Sequence, residues 1–250
     1  MTFWMLYSVS CVFASYRDHG ELDPGTFYCA LLQVVYLLKF FATEIRMYIA
    51  SIDIIVDRAS YYETWGCLVF VPTLYTQHTR VAASFAPTYS WVAASAVAAF
   101  GLLCFLLNTW TDEQRTRFRR EPERKLLCHS KPPRHVVATR SVWNDESQQF
   151  VTRTTLLLAD GWWGWVRHPQ YIFEIGLAWT WAALAAPLSV EFVPGKPWTL
   201  RLSALCYPLF ITLLLIGRCQ RDAAKCQKKY GAHYDEYKKL VPYQMVWGIY

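Results

Sequence analysis

The sequence predicts an all-α integral membrane protein, a polytopic bundle of about six spans with cytosolic loops. Of its 250 residues, 54% are hydrophobic and only 18% are charged, an apolar excess over the globular average. Residues 81–111 contain no charged side chain, and ~20 apolar residues are enough for a helix to cross a bilayer. We expect residues 1–250 to form one membrane domain.

Five further stretches complete the expected six spans. They are shorter or less uniformly apolar: 2–15, 26–43, 64–79, 172–190 and 199–217. The first lacks the basic start and small-residue cleavage site of a signal peptide, so we expect it to be retained.

Basic residues are concentrated beside the spans. Segment 111–170 holds eleven Lys and Arg against seven Asp and Glu, segment 218–239 holds seven against three, and the link 191–198 is neutral. The positive-inside rule then places both basic segments in the cytosol and the link on the opposite side. Because both segments adjoin spans and no nucleic-acid motif is present, we expect a lipid bilayer and no nucleic acid as the partner.

The eight cysteines suggest packing residues. They lie mostly in apolar runs and form no C-x-x-C pair. Among cysteine-containing stretches, the adjacent Cys128 and His129 look most like metal ligands, but adjacent side chains rarely chelate together, so no metal site is predicted.

A pair of arginines follows the 81–111 span. Arg115 and Arg119 are four residues apart, which places them on one helical face, with Phe118 expected to project beside them. Guanidinium groups bind phosphate in a bidentate way, so the pair suits a polyphosphate. A juxtamembrane patch that touches anionic lipid headgroups explains the same charges.

Residues 131–153 change to a strand-like pattern. Short strands are expected at 135–140 and 149–153, around a turn at Asn144 and Asp145. The hairpin would be cytosolic, either as a cap over a cofactor pocket or as a plain connector.

The C-terminal tail starts as a helix at Gly217. Arg218 and Asp222 are four residues apart and can form an intrahelical ion pair. If they face a pocket instead, the carboxylate can accept from a ribose hydroxyl. Gly231 is expected to end this helix, and Tyr234 and Tyr237 to begin another face.

The stretch "GWWGWVRHPQY" at 161–171 lies where the chain enters a span. An aromatic belt at the headgroup level accounts for its three tryptophans, Trp162, Trp163 and Trp165. It does not account for the ionisable residues that enter the same helix, and Glu174, with Arg167 or another cation as partner, is the strongest functional candidate.

Several of these runs together resemble one enzyme family. "GWWGWVRHPQY", "GRCQRDAAKCQKKYGAHYDEYKKLVPY" at 217–243 and the closing "GIY" are similar to the integral-membrane sterol reductases that act on Δ14, Δ7 and C24(28) double bonds. The runs at 36–76, 112–120 and 131–164 are most similar to the Δ7 branch. The resemblance extends in order from Gln33 to Tyr250.

The resemblance implies a multi-pass enzyme of the endoplasmic reticulum membrane that reduces a sterol ring double bond with NADPH. Its substrate would be a Δ5,7-sterol, with other subunits of sterol biosynthesis as candidate partners. The implied cofactor-binding residues are Arg115, Arg119, Trp163, Arg167, His168, Tyr171, Arg218, Asp222 and Tyr237. The implied catalytic residues, which would supply the proton or face the sterol, are Glu44, Asp53, Asp57 and Tyr75.

The chain departs from the family pattern at several points. The family's R-H-F-N-Y is R-H-P-Q-Y here, so Pro169 replaces a phenylalanine, and a proline at this position favours a helix start. Val56 replaces a histidine, and Tyr234 replaces a tryptophan. Family members also carry more N-terminal spans, so we expect the chain either to be N-terminally truncated or to be a half-sized relative. In both cases a wall of the sterol pocket would be missing.

Two other functions stay open. Membrane methyltransferases of the isoprenylcysteine and phospholipid type also use an R-H-P-x-Y motif entering a span, with S-adenosylmethionine as cofactor, although that cofactor carries no phosphate to occupy Arg115 and Arg119. A truncated, non-catalytic chain that binds sterol or a partner is the third hypothesis.

Overall fold

The computed structural model describes residues 2–43, 64–85, 89–124, 132–144, 148–186 and 198–249. The helices are α1 (Thr2–His19), α2 (Pro24–Thr43), α3 (Gly66–Tyr75), α4 (Gln77–Ala83), α5 (Trp91–Arg120), α6 (Trp162–Trp165), α7 (Pro169–Ala185), α8 (Trp198–Ser203), α9 (Cys206–Tyr230) and α10 (Ala232–Leu240). The strands are β1 (His135–Asn144) and β2 (Gln149–Leu158). Helix α3 has π-type rather than α-type hydrogen bonding.

The prediction of a mainly helical chain is confirmed. Within the described ranges, α2 and α5 are the two helices long and apolar enough to cross a membrane. Both coincide with predicted spans.

The chain divides into two compact units. The first comprises 1–105 and 176–211, and the second comprises 106–175 and 212–250. The bounds of the second unit lie close to those of the two predicted cofactor-binding segments, 111–170 and 218–250.

The core of the first unit combines aromatic rings with a satisfied polar group. The Gln33 side chain on α2 accepts hydrogen bonds from Ser8 (2.9 Å) and Thr79 (2.6 Å) and donates to the Tyr75 carbonyl (3.1 Å). Around Trp181, which is 1% exposed, lie the rings of Tyr36, Tyr75 and Tyr207. Because buried amides are costly unless they are hydrogen-bonded, this network fixes α1, α2 and α4 together.

Three of the predicted spans are not single helices. Helix α4 ends at Ala83 and α5 begins at Trp91, so the continuous span expected at 81–111 is wrong. The chain has a proline at position 87, which cannot donate to a preceding turn, and the Ser90 hydroxyl accepts from the Ala93 amide (3.3 Å) at the new helix start.

The stretch 199–217 is likewise divided. Helix α8 ends at Ser203, a turn covers 204 and 205, and α9 begins at Cys206. Pro208 lies in the first turn of α9, where its missing amide costs no helical hydrogen bond. The predicted span 64–79 also breaks, between α3 and α4.

The second unit contains the predicted hairpin, and its strands are longer than expected. Strands β1 and β2 pair antiparallel from His135 opposite Leu158 to Asn144 opposite Gln149. Val136 on β1 is buried in a cluster with Tyr234, Tyr237 and Val241 from the tail. The hairpin is therefore anchored to α10.

Helices α5 and α7 approach each other closely within the first unit. A Cβ on Gly101 would lie 2.6 Å from Thr180 Cγ2, and a Cβ on Gly176 would lie 2.8 Å from Cys104 Sγ. Both distances are too short for real atoms, so each helix presents a glycine to the other, as is common where apolar helices pack.

We expect Gly176→Ala to lower the free energy of unfolding by about 1–3 kcal/mol because it overpacks this contact. The loss should shrink in a Cys104→Ala background, which removes the opposing sulfur. Gly217→Ala on α9 is the matched control, because its Cβ meets nothing within 4 Å. Thermal unfolding in detergent measures all four variants, and equal losses in both backgrounds would contradict the close approach.

Candidate functional site

The charged end of α5 separates its arginines onto two faces. Arg117 pairs with Glu113 at 2.9 Å on the exposed side. The guanidinium of Arg115 lies instead over the Trp163 ring, 4.8 Å from its centroid, and Arg119 is exposed one turn further along. The prediction that Phe118 projects beside them is wrong, because Phe118 is buried against Leu158 and Trp163.

Trp163 is held in place by the short helix α6. Its Nε1 donates to the Thr111 carbonyl (3.0 Å), and the Trp162 amide donates to the Gln114 side chain (3.0 Å). Gly161 enters this turn with a φ of 59°, a conformation that favours glycine. Trp163 is therefore a buried packing residue rather than part of an aromatic belt, whereas Trp165 is 64% exposed.

Arg167 and His168 are tied to the C-terminal segment through their backbone. The Arg167 amide donates to the Tyr243 carbonyl (3.0 Å) and the His168 amide to the Gln244 carbonyl (2.9 Å). The buried Arg167 side chain donates from Nη2 to the Pro242 carbonyl (3.1 Å), while its Nε has no hydrogen-bond partner in the described structure.

Helix α7 begins at Pro169, as predicted. Directly around this start, the rings of His168 and Tyr171 stack with centroids 5.0 Å apart and planes 3° from parallel. The two rings form one flat aromatic surface beside Arg167.

Arg218 and Asp222 on α9 do not form the ion pair expected from their spacing, since no oxygen of Asp222 lies within 4.0 Å of Arg218. The charges of both residues influence the pKa values of His168 and Tyr171, Arg218 lowering and Asp222 raising them.

The remaining aromatic member comes from α10, which begins after Gly231. Tyr237 is 7% exposed, and its ring centroid lies 5.9 Å from that of Tyr234. Burial raises the pKa of Tyr237, so its hydroxyl stays protonated at neutral pH.

All nine sequence-predicted cofactor residues lie in the second unit. Direct contacts join Arg115 to Trp163 and His168 to Tyr171, and the charges of Arg115, Arg167, Arg218 and Asp222 influence the pKa of His168. In the described part of the chain, none of the four arginines in this group, the arginine cluster, is ion-paired. Four positive charges face a single carboxylate, which makes the cluster an anion-binding environment.

Burial, together with the charges of Arg167, Arg115 and Arg218 and against the opposing effect of Asp222, lowers the pKa of His168 to about 4. The imidazole is therefore neutral at pH 7. It presents an aromatic face without adding a fifth positive charge.

Glu174 receives a hydrogen bond from an amide. Asn108 Nδ2 donates both to Glu174 Oε2 (3.2 Å) and to the Gln170 carbonyl (3.0 Å). The sequence predicted a cation such as Arg167 as its partner, but Arg167 donates to Pro242. Asn108, Thr111 and Gln114 were not predicted, although their spacing places them near one side of α5 beside Arg115.

The proposed catalytic residues are only partly described. Glu44, Asp53 and Asp57 lie outside the described residues. Tyr75 lies in the first unit, with its ring centroid 5.1 Å from Trp181 and 5.2 Å from Tyr207. In the described ranges no three His, Cys, Asp or Glu side chains converge on a point where a metal ion would sit.

We expect the protein to lose stability as the pH falls from about 6.5 to about 4. In this window the unfolded His168 takes up a proton that the folded state resists, so the folded state loses about 3 kcal/mol. Thermal unfolding at a series of pH values measures the effect, and His168→Gln should flatten the slope. An unchanged slope in that variant would show that His168 is not the titrating group.

Comparison with known proteins gives one consistent result. The model of the ergosterol biosynthesis ERG4/ERG24 family matches residues 1–250. The 7-dehydrocholesterol reductase of Arabidopsis thaliana is 34% identical over 250 residues, covering 100% of this chain and 54% of that protein. A Delta(14)-sterol reductase of Methylotuvimicrobium alcaliphilum is 26% identical, and a 7-dehydrocholesterol reductase of Xenopus laevis is 28% identical, with 52% and 48% of those proteins covered. The chain therefore spans about half the length of these relatives, and it belongs to the ergosterol biosynthesis ERG4/ERG24 family.

Proposed function

We propose that the chain takes part in the NADPH-dependent reduction of a sterol ring double bond, namely C7–C8 of 7-dehydrocholesterol or a related Δ5,7-sterol. The relatives named above are sterol Δ7- and Δ14-reductases. The observation that carries the proposal is the set of three arginines, Arg115, Arg167 and Arg218, whose charges influence His168, with Arg119 close to Arg115.

The residues present fit the phosphate groups of NADPH. Its pyrophosphate and 2′-phosphate need several cationic donors, and arginine forks match phosphate oxygens in pairs. Arg119 and Arg218 are exposed, so both can reach a ligand from solvent. The Nε of Arg167 is a buried donor that lacks a protein acceptor in the described structure, and such atoms are unusual unless a ligand or water completes them.

The same cluster offers a surface for the rings and sugars of the cofactor. His168 with Tyr171 forms one flat aromatic face, while the buried Trp163 ring supports the Arg115 guanidinium from below. The Asp222 carboxylate, which is not paired with Arg218, is suited to accept from a ribose hydroxyl.

The reduction adds one hydride and one proton across the carbon–carbon double bond. NADPH, when bound, supplies the hydride and leaves as NADP⁺. The proton must come from a protein group or water, and Glu44, Asp53, Asp57 and Tyr75 remain the candidates. A carboxyl group in apolar surroundings keeps its proton at neutral pH and is able to donate it.

The proposed setting is the endoplasmic reticulum membrane. We propose about six spans in one membrane domain, with segments 111–170 and 218–250 on the cytosolic side, where NADPH is available. The net charge of +6 and its concentration in these segments support this orientation. Other enzymes of sterol biosynthesis are candidate partners.

We expect Arg119→Ala and Arg218→Ala each to weaken NADPH binding by about 10- to 100-fold, the value of a charge-assisted hydrogen bond. Arg117→Ala is the matched control, because Arg117 lies on the same helix and pairs with Glu113 at 2.9 Å on the exposed side. Titration of the purified chain with NADPH, monitored by nucleotide fluorescence, measures the affinities.

The same titration separates the rival cofactors. NADH lacks the 2′-phosphate and should bind more weakly than NADPH, and S-adenosylmethionine should not compete. Competition by S-adenosylmethionine, or unchanged NADPH affinity in both folded variants, would refute the assignment of the arginine cluster.

We expect membranes of a reductase-deficient host that expresses this chain to convert 7-dehydrocholesterol to the Δ7-saturated sterol when NADPH is supplied. Sterol profiling by mass spectrometry measures the product. Arg218→Ala should reduce it at equal expression, while Arg117→Ala should not.

If NADPH binds but no sterol is reduced, the cofactor assignment stands and the chain alone is not a complete reductase. Saturation of a Δ14 substrate instead would move the reaction to the other double bond. If neither cofactor nor product is found, the non-catalytic function is favoured.

A further inference from the structure

A second concave site lies in the second unit, on the opposite side of α6 from Trp163. It is an open groove of about 330 Å³ whose lining includes Trp110, Gln114, Arg134, Asp160, Trp162 and Trp165. None of its lining residues belongs to the predicted cofactor set. The proposed cofactor site therefore does not account for this groove.

Three indole rings form the apolar part of the groove. Trp110 and Trp162 meet edge to face, with centroids 5.7 Å apart at 78°, and Trp162 and Trp165 do so at 5.4 Å and 69°. Trp110 is 44% exposed and Trp165 is 64% exposed. Rings at steep angles present faces and edges in several directions, as in the aromatic cages that hold quaternary ammonium groups.

The groove also carries one charge of each sign. The Asp160 carboxylate is fixed by the Gly161 amide (2.8 Å) and the Arg134 amide (3.0 Å). The Arg134 side chain is exposed and forms no ion pair with the described residues. An occupant that is positive at one end and negative at the other is complementary to this pair.

The position of the groove indicates where such an occupant comes from. Trp110 lies at the end of the charge-free part of α5, just before Asp112 and Glu113, and α5 is one of the described helices able to cross a membrane. Exposed tryptophans at such a point settle at the level of lipid headgroups.

We propose that this groove binds the phosphocholine headgroup of a bilayer lipid. The trimethylammonium group lies against the tryptophan faces near Asp160, and the phosphate is held by Arg134. A quaternary ammonium has no N–H to satisfy, so aromatic faces suit it. A primary ammonium keeps its water-bonded protons, and an anionic headgroup would be repelled by Asp160.

The test uses the full chain in detergent with an equimolar mixture of phosphatidylcholine, phosphatidylethanolamine and phosphatidylglycerol of identical acyl chains. Native mass spectrometry counts the lipid retained by each protein molecule. We expect phosphatidylcholine to be retained at least about fivefold over the other two. Arg134→Gln and Trp165→Leu should each reduce this retention at least about fivefold, since both side chains are exposed and the fold should survive their loss.

Arg120→Gln and Trp247→Leu are the matched controls, because they remove an exposed arginine and an exposed tryptophan outside the groove. Equal retention of the three lipids, or equal behaviour of groove and control variants, would overturn the proposal. Loss of retention with Arg134→Gln but not with Trp165→Leu would also overturn the proposal, because it would mean that the groove binds phosphate alone.

Soluble phosphocholine that displaces the lipid at equal concentration would rule out the bilayer as the source of the headgroup. NADPH affinity should be unchanged in both groove variants, so this test is independent of the proposed reduction.

Discussion

The close pairing of α5 with α7 is the constraint on which the rest of the structure depends. Within the first unit, Gly101 and Gly176 allow each helix to sit against a side chain of the other, at distances that no larger residue permits. Within the second unit, the Asn108 amide joins the same two helices by donating to Gln170 and Glu174. These contacts fix where α5 ends and where α7 begins, and those two ends carry the arginines and rings of the candidate site.

The arginine cluster is the feature that folding alone does not explain. Bringing like charges together is unfavourable, and exposed arginines are normally dispersed or paired. On α5 the chain shows that it can pair them, since Arg117 meets Glu113 one turn away. Leaving Arg115 and Arg119 without such a partner in the described structure is a local violation of the kind expected at functional sites. A bound polyphosphate would relieve the repulsion between these arginines, and this relief would strengthen its binding.

Much of this arrangement was predictable from the sequence. Local spacing predicted that Arg115 and Arg119 share a face, that Pro169 begins a helix and that a hairpin follows residue 134, because each depends on neighbours in the chain. Helix continuity was harder to predict. Apolar composition measures preference for lipid and says little about where the backbone turns, so the breaks around residues 84–90 and at 204–205 were missed.

Partners that are distant in sequence were the other failure. The spacing of Arg218 and Asp222 suggests an ion pair, but the described structure contains none between them. A glutamate near a span suggests a cation, and the structure shows a hydrogen bond to Glu174 from the Asn108 amide, at 3.2 Å and 66 residues away along the chain. Spacing along one sequence cannot place a tertiary neighbour of this kind.

The three tryptophans of the four-residue helix α6 lie on two different surfaces. Successive residues of a helix point about 100° apart, so neighbours in a single turn face different directions. Trp163 turns inward to Arg115 and the Thr111 carbonyl, whereas Trp162 and Trp165 line the opposite groove. Since Gly161 sets the entry angle of this turn against Gln114, one backbone conformation orients all three rings. A stretch that by composition resembles an interfacial belt is thus divided between a buried tryptophan that packs beside Arg115 and two tryptophans that line an open groove, and exposure rather than residue type separates the two.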